Sequence, residues 1–95
     1  METFSEDLVR GEIRKLVAEV TERDLDEIGD AASFRRELGI DSLTALEIMF
    51  AVDKKFKLSI PDDEYEQLKN LNDTVALVMK HLGQAQEAGG STAAA

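Results

Sequence analysis

The sequence has no cysteine and no tryptophan, and it has one tyrosine and one proline. Without cysteine the chain cannot form a disulfide, a thiolate zinc site or a thiol nucleophile. Aromatic residues make up only 5% of the chain, so a flat aromatic binding platform is not expected. No apolar run approaches the length of a membrane span, and the acidic N-terminus is unlike a secretory signal peptide. We therefore expect a cytoplasmic protein with no membrane partner.

Basic residues are also scarce, with 11 Lys and Arg against 20 Asp and Glu, for a net charge of -9. Nucleic acid is not an expected partner, because phosphate binding needs clustered Lys and Arg. Proteins with basic docking patches are better candidates, since opposite fields speed encounter and fix orientation. The 95 residues, 43% of them hydrophobic, suffice for one compact domain with one core, and we expect a monomer.

A first amphipathic helix is predicted over residues 4–20. Its apolar side chains recur at steps of three and four, which places them on one stripe. Thr3 with Glu6 fits a capping box, and Ser5 is a rival cap. The stripe contains Leu8, Val9, Ile13, Leu16, Val17 and Val20.

Residues 21–40 are predicted to form a long connection. A loop of this length in a small domain is usually functional or contains a short helix. The stretch "ASFRREL" is expected to form one helical turn that Phe34 and Leu38 pin to the core. Further apolar anchors in this connection are Leu25 and Ile28.

The second helix is predicted from Ser42 to Phe56, with Asp41 as its N-cap. It has two apolar stripes where a core needs only one, so the second stripe requires an explanation. One stripe consists of Ala45, Met49, Val52 and Phe56, with Ile48 beside it; the other consists of Leu43, Leu46 and Phe50.

Two further helices complete a small all-α bundle of three main helices and one short helix, with no convincing strand. Pro61 suits the first position of a short helix over about residues 62–68. The last helix is predicted to be capped by Asp73 and to end near Leu82, where Gly83 can stop it. Residues 1–83 are thus the expected domain, and residues 84–95, which lack apolar periodicity, a disordered tail or linker.

The serine that opens the second helix does not resemble a hydrolase nucleophile. Such a nucleophile sits in a G-x-S-x-G elbow, but Gly39 is three residues before Ser42 and Thr44 stands where the second glycine belongs. The lone histidine, His81, is better explained as a solvated residue that eases the dipole at the end of the last helix. A catalytic triad is therefore not expected.

The stretch "DLDEIGD" hints at a calcium loop, because Gly29 falls at the sixth position counted from Asp24. The fifth position is then Ile28 and the twelfth is Arg35, where a bidentate Glu is needed. A solvated acidic loop is the better interpretation, and no metal site is expected.

The stretch "LGIDSL" at residues 38–43 resembles the L-G-x-D-S-L attachment motif of the acyl carrier protein family. The preceding "SFRREL" and the following "EIMFAVDKKFKLSIPDDEYEQLKNLNDTVALV" extend the similarity in register, so that it covers about residues 4–82. The family includes fatty-acid, polyketide and peptidyl carriers.

The resemblance implies that Ser42 is not a catalyst but the residue that carries 4′-phosphopantetheine, delivered from coenzyme A by a phosphopantetheinyl transferase. The transferase would activate the hydroxyl. The 4′-phosphopantetheine, called the arm below, would supply the thiol that binds acyl groups, which explains the missing cysteine. A helix N-terminus is favourable to the phosphodiester. Asp41 would cap the helix and belong to the motif that the transferase recognises, and Gly39 would let the chain turn tightly before it.

The second stripe then has a use, because the resemblance implies that it is a docking face for partner enzymes. Ketosynthases, acyltransferases or ligases with basic patches would meet Leu43, Leu46 and Phe50 beside Glu47. Asp62 and Asp63, with Glu64, would extend this face, but for each residue taken singly a solvated acid at a helix start is the safer interpretation.

By register with the family, an acyl chain attached through Ser42 would enter a cleft between the second and third helices. The residues that would line it are Ala45, Val52, Ile60, Tyr65 and Leu68. Tyr65 is bulky and has a hydroxyl, so we expect short or oxygenated acyl groups to be tolerated better than long saturated ones.

One difference from fatty-acid carriers favours a polyketide-type or specialised lipid carrier. Lys54 and Lys55 stand where those carriers often continue with acids, and Arg35 and Arg36 lie in the preceding loop. Within the family, a peptidyl or aminoacyl carrier, including a D-alanyl carrier, is the alternative. From another class, the alternative is a helical interaction module in which Ser42 is only a cap.

Overall fold

The structure is a computed structural model that describes the backbone of residues 5–94 and the side chains of residues 5–83. The order of its helices is α1 (Glu6–Thr21), α2 (Ser42–Phe56), α3 (Asp62–Tyr65) and α4 (Leu71–Ala94), with a 3₁₀ helix at Leu25–Glu27. No strand occurs between residues 5 and 94, so the predicted all-α bundle is confirmed. Within the described chain, no helix has both the length and the apolar character needed to cross a bilayer.

Helix α1 is the centre of the bundle, since it contacts both α2 and α4. Ser5 is its N-cap, and the Ser5 hydroxyl accepts a hydrogen bond from the backbone N–H of Leu8 at 3.1 Å. The rival cap Thr3 lies outside the described residues. Leu8, predicted to belong to the core stripe, is 47% exposed, whereas Val9, Ile13 and Val17 are fully buried.

The connection between α1 and α2 is long but firmly attached. Its backbone bonds to the far side of the fold, because the Phe34 N–H donates to the Lys69 carbonyl at 2.9 Å. The Asp30 carbonyl accepts from the Asn72 N–H at 3.0 Å. The predicted turn with buried Phe34 and Leu38 is confirmed, but the expected anchor Leu25 is largely exposed.

Helix α2 begins and ends where the sequence predicts, and its core stripe is buried. Asp41 is the N-cap, and Lys57 ends the helix in the left-handed conformation with φ 56°. The core stripe joins the hydrophobic core, and α2 contacts α1 and α3. Its buried members are Ile48, Met49, Val52 and Phe56, with Ala45 partly buried.

The predicted extents of the last two helices are wrong. Helix α3 ends at Tyr65, not Leu68, and Pro61 is its N-cap and not its first residue.

The predicted cap of α4 is also wrong. The cap is Asn70, whose Oδ1 accepts from the Asp73 N–H at 2.9 Å, while the Asp73 carboxylate accepts from the Lys69 N–H at 3.0 Å. These two bonds start α4 at Leu71, two residues before the predicted cap. The helix also continues through Gly83 to Ala94. The assignment of residues 84–95 to a tail or linker stays a prediction, because their side chains are outside the described set.

Candidate functional site

Ser42 is the first residue of α2, and its side chain is exposed. Its hydroxyl makes no hydrogen bond with any described residue. The preceding Asp41 accepts a hydrogen bond from the Thr44 N–H through Oδ1 at 2.8 Å. This bond, followed by one from the Thr44 hydroxyl, lowers the pKa of Asp41 below its ordinary value of 3.8. The cap therefore stays ionised at neutral pH and fixes the turn that presents Ser42.

The chain that leads to Ser42 is anchored on both sides of a single glycine. Gly39 has φ +63°, and a Cβ added there would meet nothing within 4 Å, so conformation and not crowding requires glycine. Leu38 and Ile40 on either side are buried, and the Ile40 N–H donates to the Phe34 carbonyl at 2.7 Å. Ser42 is thus presented to solvent at a fixed position.

The predicted docking residues on α2 differ in exposure. Leu43 is 66% exposed and Phe50 is 60% exposed, the highest values among the large apolar side chains that the structure describes. Glu47 between them is exposed as well, whereas Leu46 is half-buried and packs partly against the core. Asp62 and Asp63 are exposed at the start of α3. Their role in docking stays a prediction.

A small cavity lies between α2, α3 and α4, and its role as an acyl pocket stays a prediction. Ala45, Tyr65 and Leu68 line it, whereas Val52 and Ile60 are buried in the core and do not reach it. Its volume is about 20 Å³, which is room for about one water molecule. The other lining residues are Phe34, Ile48, Met49 and Thr74.

One residue of this region, Asp53, was missed by the sequence analysis. The Tyr65 hydroxyl donates to Asp53 Oδ2 at 2.8 Å, so it is engaged within the protein rather than offered to cargo. Burial, and then the neighbouring Asp53 carboxylate, raise the pKa of Tyr65 well above its ordinary value of 10.0. The one signal in the sequence was an acidic residue directly after the buried Val52, which does not identify a partner twelve residues away.

His81 is not the solvated, dipole-easing residue that was predicted. Its Nε2 lies 3.1 Å from Glu64 Oε2, and Lys80 Nζ lies 3.8 Å from Glu64 Oε1. Because α4 continues to Ala94, His81 is in the helix interior and connects α3 to α4. The lone histidine therefore has a structural partner.

The start of α2 fits an attached phosphodiester. It offers an exposed, unengaged hydroxyl at a helix N-terminus, where outward-pointing backbone N–H groups and the positive end of the dipole favour an anion. Among the described residues no cluster of His, Asp and Glu could hold a metal ion.

Comparison with known proteins also points to an attached phosphodiester, and the similarity covers most of the chain. A family model described as "Phosphopantetheine attachment site" matches residues 11–78. The chain is 35% identical over 71 residues to an acyl carrier protein of Phenylobacterium zucineum, covering 75% of this chain and 90% of that protein. It is 33% identical over 80 residues to an acyl carrier protein of Lactobacillus acidophilus, covering 84% and 100%.

A relative with a more specific name is the polyketide-8 synthase acyl carrier protein 2 of Streptomyces avermitilis. It is 33% identical over 85 residues, which cover 90% of this chain and 98% of that protein. These matches extend over nearly the whole described fold. The chain therefore belongs to the acyl carrier protein family, whose members are carriers that bear 4′-phosphopantetheine and not catalysts.

Proposed function

We propose that Ser42 carries the 4′-phosphopantetheine through a phosphodiester, and that the chain transports acyl intermediates of polyketide or other specialised lipid biosynthesis in the cytoplasm. The observation that carries the assignment is the exposed, unengaged Ser42 hydroxyl at the first residue of α2. We take residues 1–83 as the carrier domain and residues 84–95 as a tail or linker.

The residues around Ser42 have separate tasks in this proposal. The arm supplies the terminal thiol that holds acyl groups as thioesters. Asp41 keeps the first turn of α2 formed, and Ser42 Oγ provides the oxygen of the phosphodiester. The N-terminal end of α2 stabilises the negative charge. The base comes from the transferase, because the lone histidine of this chain is paired with Glu64.

The charge pattern of α2 supports a specialised pathway over housekeeping fatty-acid synthesis. Lys54 is exposed near the end of the helix, and Lys55 forms an ion pair with Glu12 of α1 at 3.2 Å. These positions are often acidic in fatty-acid carriers. The similarity to the polyketide-8 synthase carrier of S. avermitilis agrees with this choice. Partner enzymes, such as a ketosynthase, acyltransferase or ligase, would bring basic groups to Glu47 beside exposed Leu43 and Phe50.

The attachment residue is tested by intact mass after incubation with coenzyme A and a broad-specificity phosphopantetheinyl transferase. We expect the wild-type chain to gain the mass of one arm, and Ser42→Ala to gain none. Ser59→Ala is the matched control, because Ser59 is also exposed but does not begin a helix, and it should be modified normally. An arm on Ser42→Ala would disprove the assignment.

The cargo is tested with the modified carrier. We expect polyketide-type ketosynthases and acyltransferases to process it faster than fatty-acid enzymes do. Efficient aminoacylation by adenylation enzymes would instead favour the peptidyl or aminoacyl class. No modification of the wild-type chain would favour a helical interaction module.

A further inference from the structure

Helix α3 is attached to α2 through one carboxylate. Asp53, on α2, accepts the Tyr65 hydroxyl at 2.8 Å through Oδ2. Its other oxygen, Oδ1, accepts the Ile60 N–H at 3.4 Å, a longer bond to the chain entering α3. Asp53 therefore bonds to Ile60, just before α3, and to Tyr65, the last residue of α3.

Tyr65 forms part of the wall of the small cavity between these helices. Ala45 and Met49 of α2 and Leu68 beyond α3 also line it, and its volume is about 20 Å³. Two residues of the lining have a hydroxyl, and both hydroxyls are engaged: Tyr65 donates to Asp53, and Thr74 donates to the Asn70 carbonyl at 3.0 Å at the start of α4. The cavity is thus apolar, suited to a hydrocarbon chain but too small for one while Tyr65 stays in place.

A second contact holds α3 to α4 rather than to α2. Glu64 pairs with His81 at 3.1 Å and with Lys80 at 3.8 Å. None of these three residues lines the cavity. This gives a natural control, because one contact of α3 borders the cavity and the other does not.

We propose that the Tyr65–Asp53 hydrogen bond is a latch that keeps α3 closed on α2 and excludes long acyl chains from the interior of this carrier. The inference rests on the proposed function, in which cargo is attached through Ser42. Opening the cavity requires the Tyr65 ring to leave and the Asp53 carboxylate to lose its buried donor. A long acyl chain can enter only after both have happened, because the closed cavity has room for about one water molecule. The latch therefore adds the loss of a hydrogen bond to a charged acceptor to the cost of entry.

The protonation of Tyr65 supports a lasting latch. The pKa of Tyr65 is raised by burial and by Asp53, so the phenol remains a donor throughout the neutral pH range. A phenol that donates to a carboxylate makes a charge-assisted hydrogen bond, which is stronger than a bond between neutral groups.

The test compares wild type, Tyr65→Phe and Glu64→Gln, each loaded on Ser42 with an acetyl or an octanoyl arm. The methyl chemical shifts of Ala45 and Leu68 report on the cavity. In wild type and Glu64→Gln, we expect the two loaded forms to give the same shifts. In Tyr65→Phe, we expect octanoyl to move them, with the ratio of inside to outside chain raised about tenfold, the effect of losing one bond to a charged acceptor. Octanoyl shifts of equal size in wild type and Tyr65→Phe would overturn the latch.

The latch is also testable without cargo, which separates its failure from that of the proposed function. A wild-type chain that takes up no arm at Ser42 refutes the function, and hydrogen exchange of the unloaded protein then decides about the latch. We expect faster exchange of the Glu64 and Leu68 amides in Tyr65→Phe, and in Asp53→Ala should Tyr65→Phe not fold. Unchanged exchange would overturn the latch. As an independent readout, the single tyrosine should titrate at lower pH in Asp53→Ala than in wild type.

Discussion

The two connections that flank α2 are held in different ways. The connection before α2 buries four apolar side chains and bonds through its backbone to Lys69 and Asn72. The segment between α2 and α4 buries only Ile60 and Tyr65, and its links to α2 and α4 include the side chains of Asp53 and His81. The buried side chains of the first connection are Ile28, Phe34, Leu38 and Ile40.

This difference matches what each connection has to do. Moving the first connection would expose four core side chains and break backbone hydrogen bonds, so the position of Ser42 is fixed. Moving α3 would break a few side-chain contacts and open the cavity beside Tyr65. Regions with few buried contacts are the ones that open at low free energy in native proteins. The attachment residue Ser42 thus follows a firmly held connection, whereas the cavity residue Tyr65 lies on a segment held by fewer buried side chains.

The largest expected effect comes from removing an anchor of the first connection. Ile28→Ala should lower the free energy of unfolding by about 2–5 kcal/mol, because Ile28 is fully buried and truncation leaves a cavity. Leu25→Ala is the matched control on the same connection, and it should lower stability by only about 1 kcal/mol because Leu25 is 47% exposed. Urea unfolding measures both. Equal losses in the two variants would contradict the proposed anchoring.

The sequence predicted α2 and its cap well, because both depend on a local pattern, Asp41 before a periodic run. The second stripe is exposed at Leu43 and Phe50 but half-buried at Leu46. Prediction failed where several neighbouring side chains compete and where a partner is distant. Asn70 and not Asp73 caps α4, because "NLND" contains several side chains that can accept from nearby N–H groups. Asp53 was missed because its partner Tyr65 lies on another helix.

A smaller effect on stability is expected from the charge of Asp41, which caps the turn that presents Ser42. The pKa of Asp41 is lowered on folding, so its contribution to stability is fully present above the ordinary value of 3.8 and is lost as pH falls through the lowered pKa. Asp41→Asn keeps a cap acceptor but does not titrate. The stability advantage of wild type at pH 7 should therefore shrink on acidification.

Urea midpoints of wild type and Asp41→Asn from neutral to acidic pH measure this effect. Glu66→Gln, an exposed change outside α2, controls for net charge. A constant difference between wild type and Asp41→Asn at all pH values would show that the ionised cap does not stabilise the Ser42 turn. Hydrogen exchange in α3 should not respond to Asp41→Asn, because the Asp41 side chain bonds to the first turn of α2 and to no described residue of α3.

The smallest effect on stability is expected on the face of α2 that neither connection uses. Glu47 is exposed and makes no ion pair with a described residue. Glu47→Lys should therefore change the free energy of unfolding by less than about 0.5 kcal/mol. It should nevertheless slow association with the transferase and with a cognate acyltransferase, because basic patches on these enzymes would meet Lys instead of Glu. Charges at the rim of an interface act mainly on the association rate and its salt dependence. We expect the association rate to fall roughly tenfold or less at low salt, a part of the total steering effect.

Glu19→Lys is the matched control, since Glu19 is exposed on α1 and the substitution changes net charge equally. Stopped-flow association at two salt concentrations separates the variants. If both slow association equally, net charge and not the α2 face directs docking; if Glu47→Lys instead unfolds the protein, this face has a structural role that its exposure does not indicate.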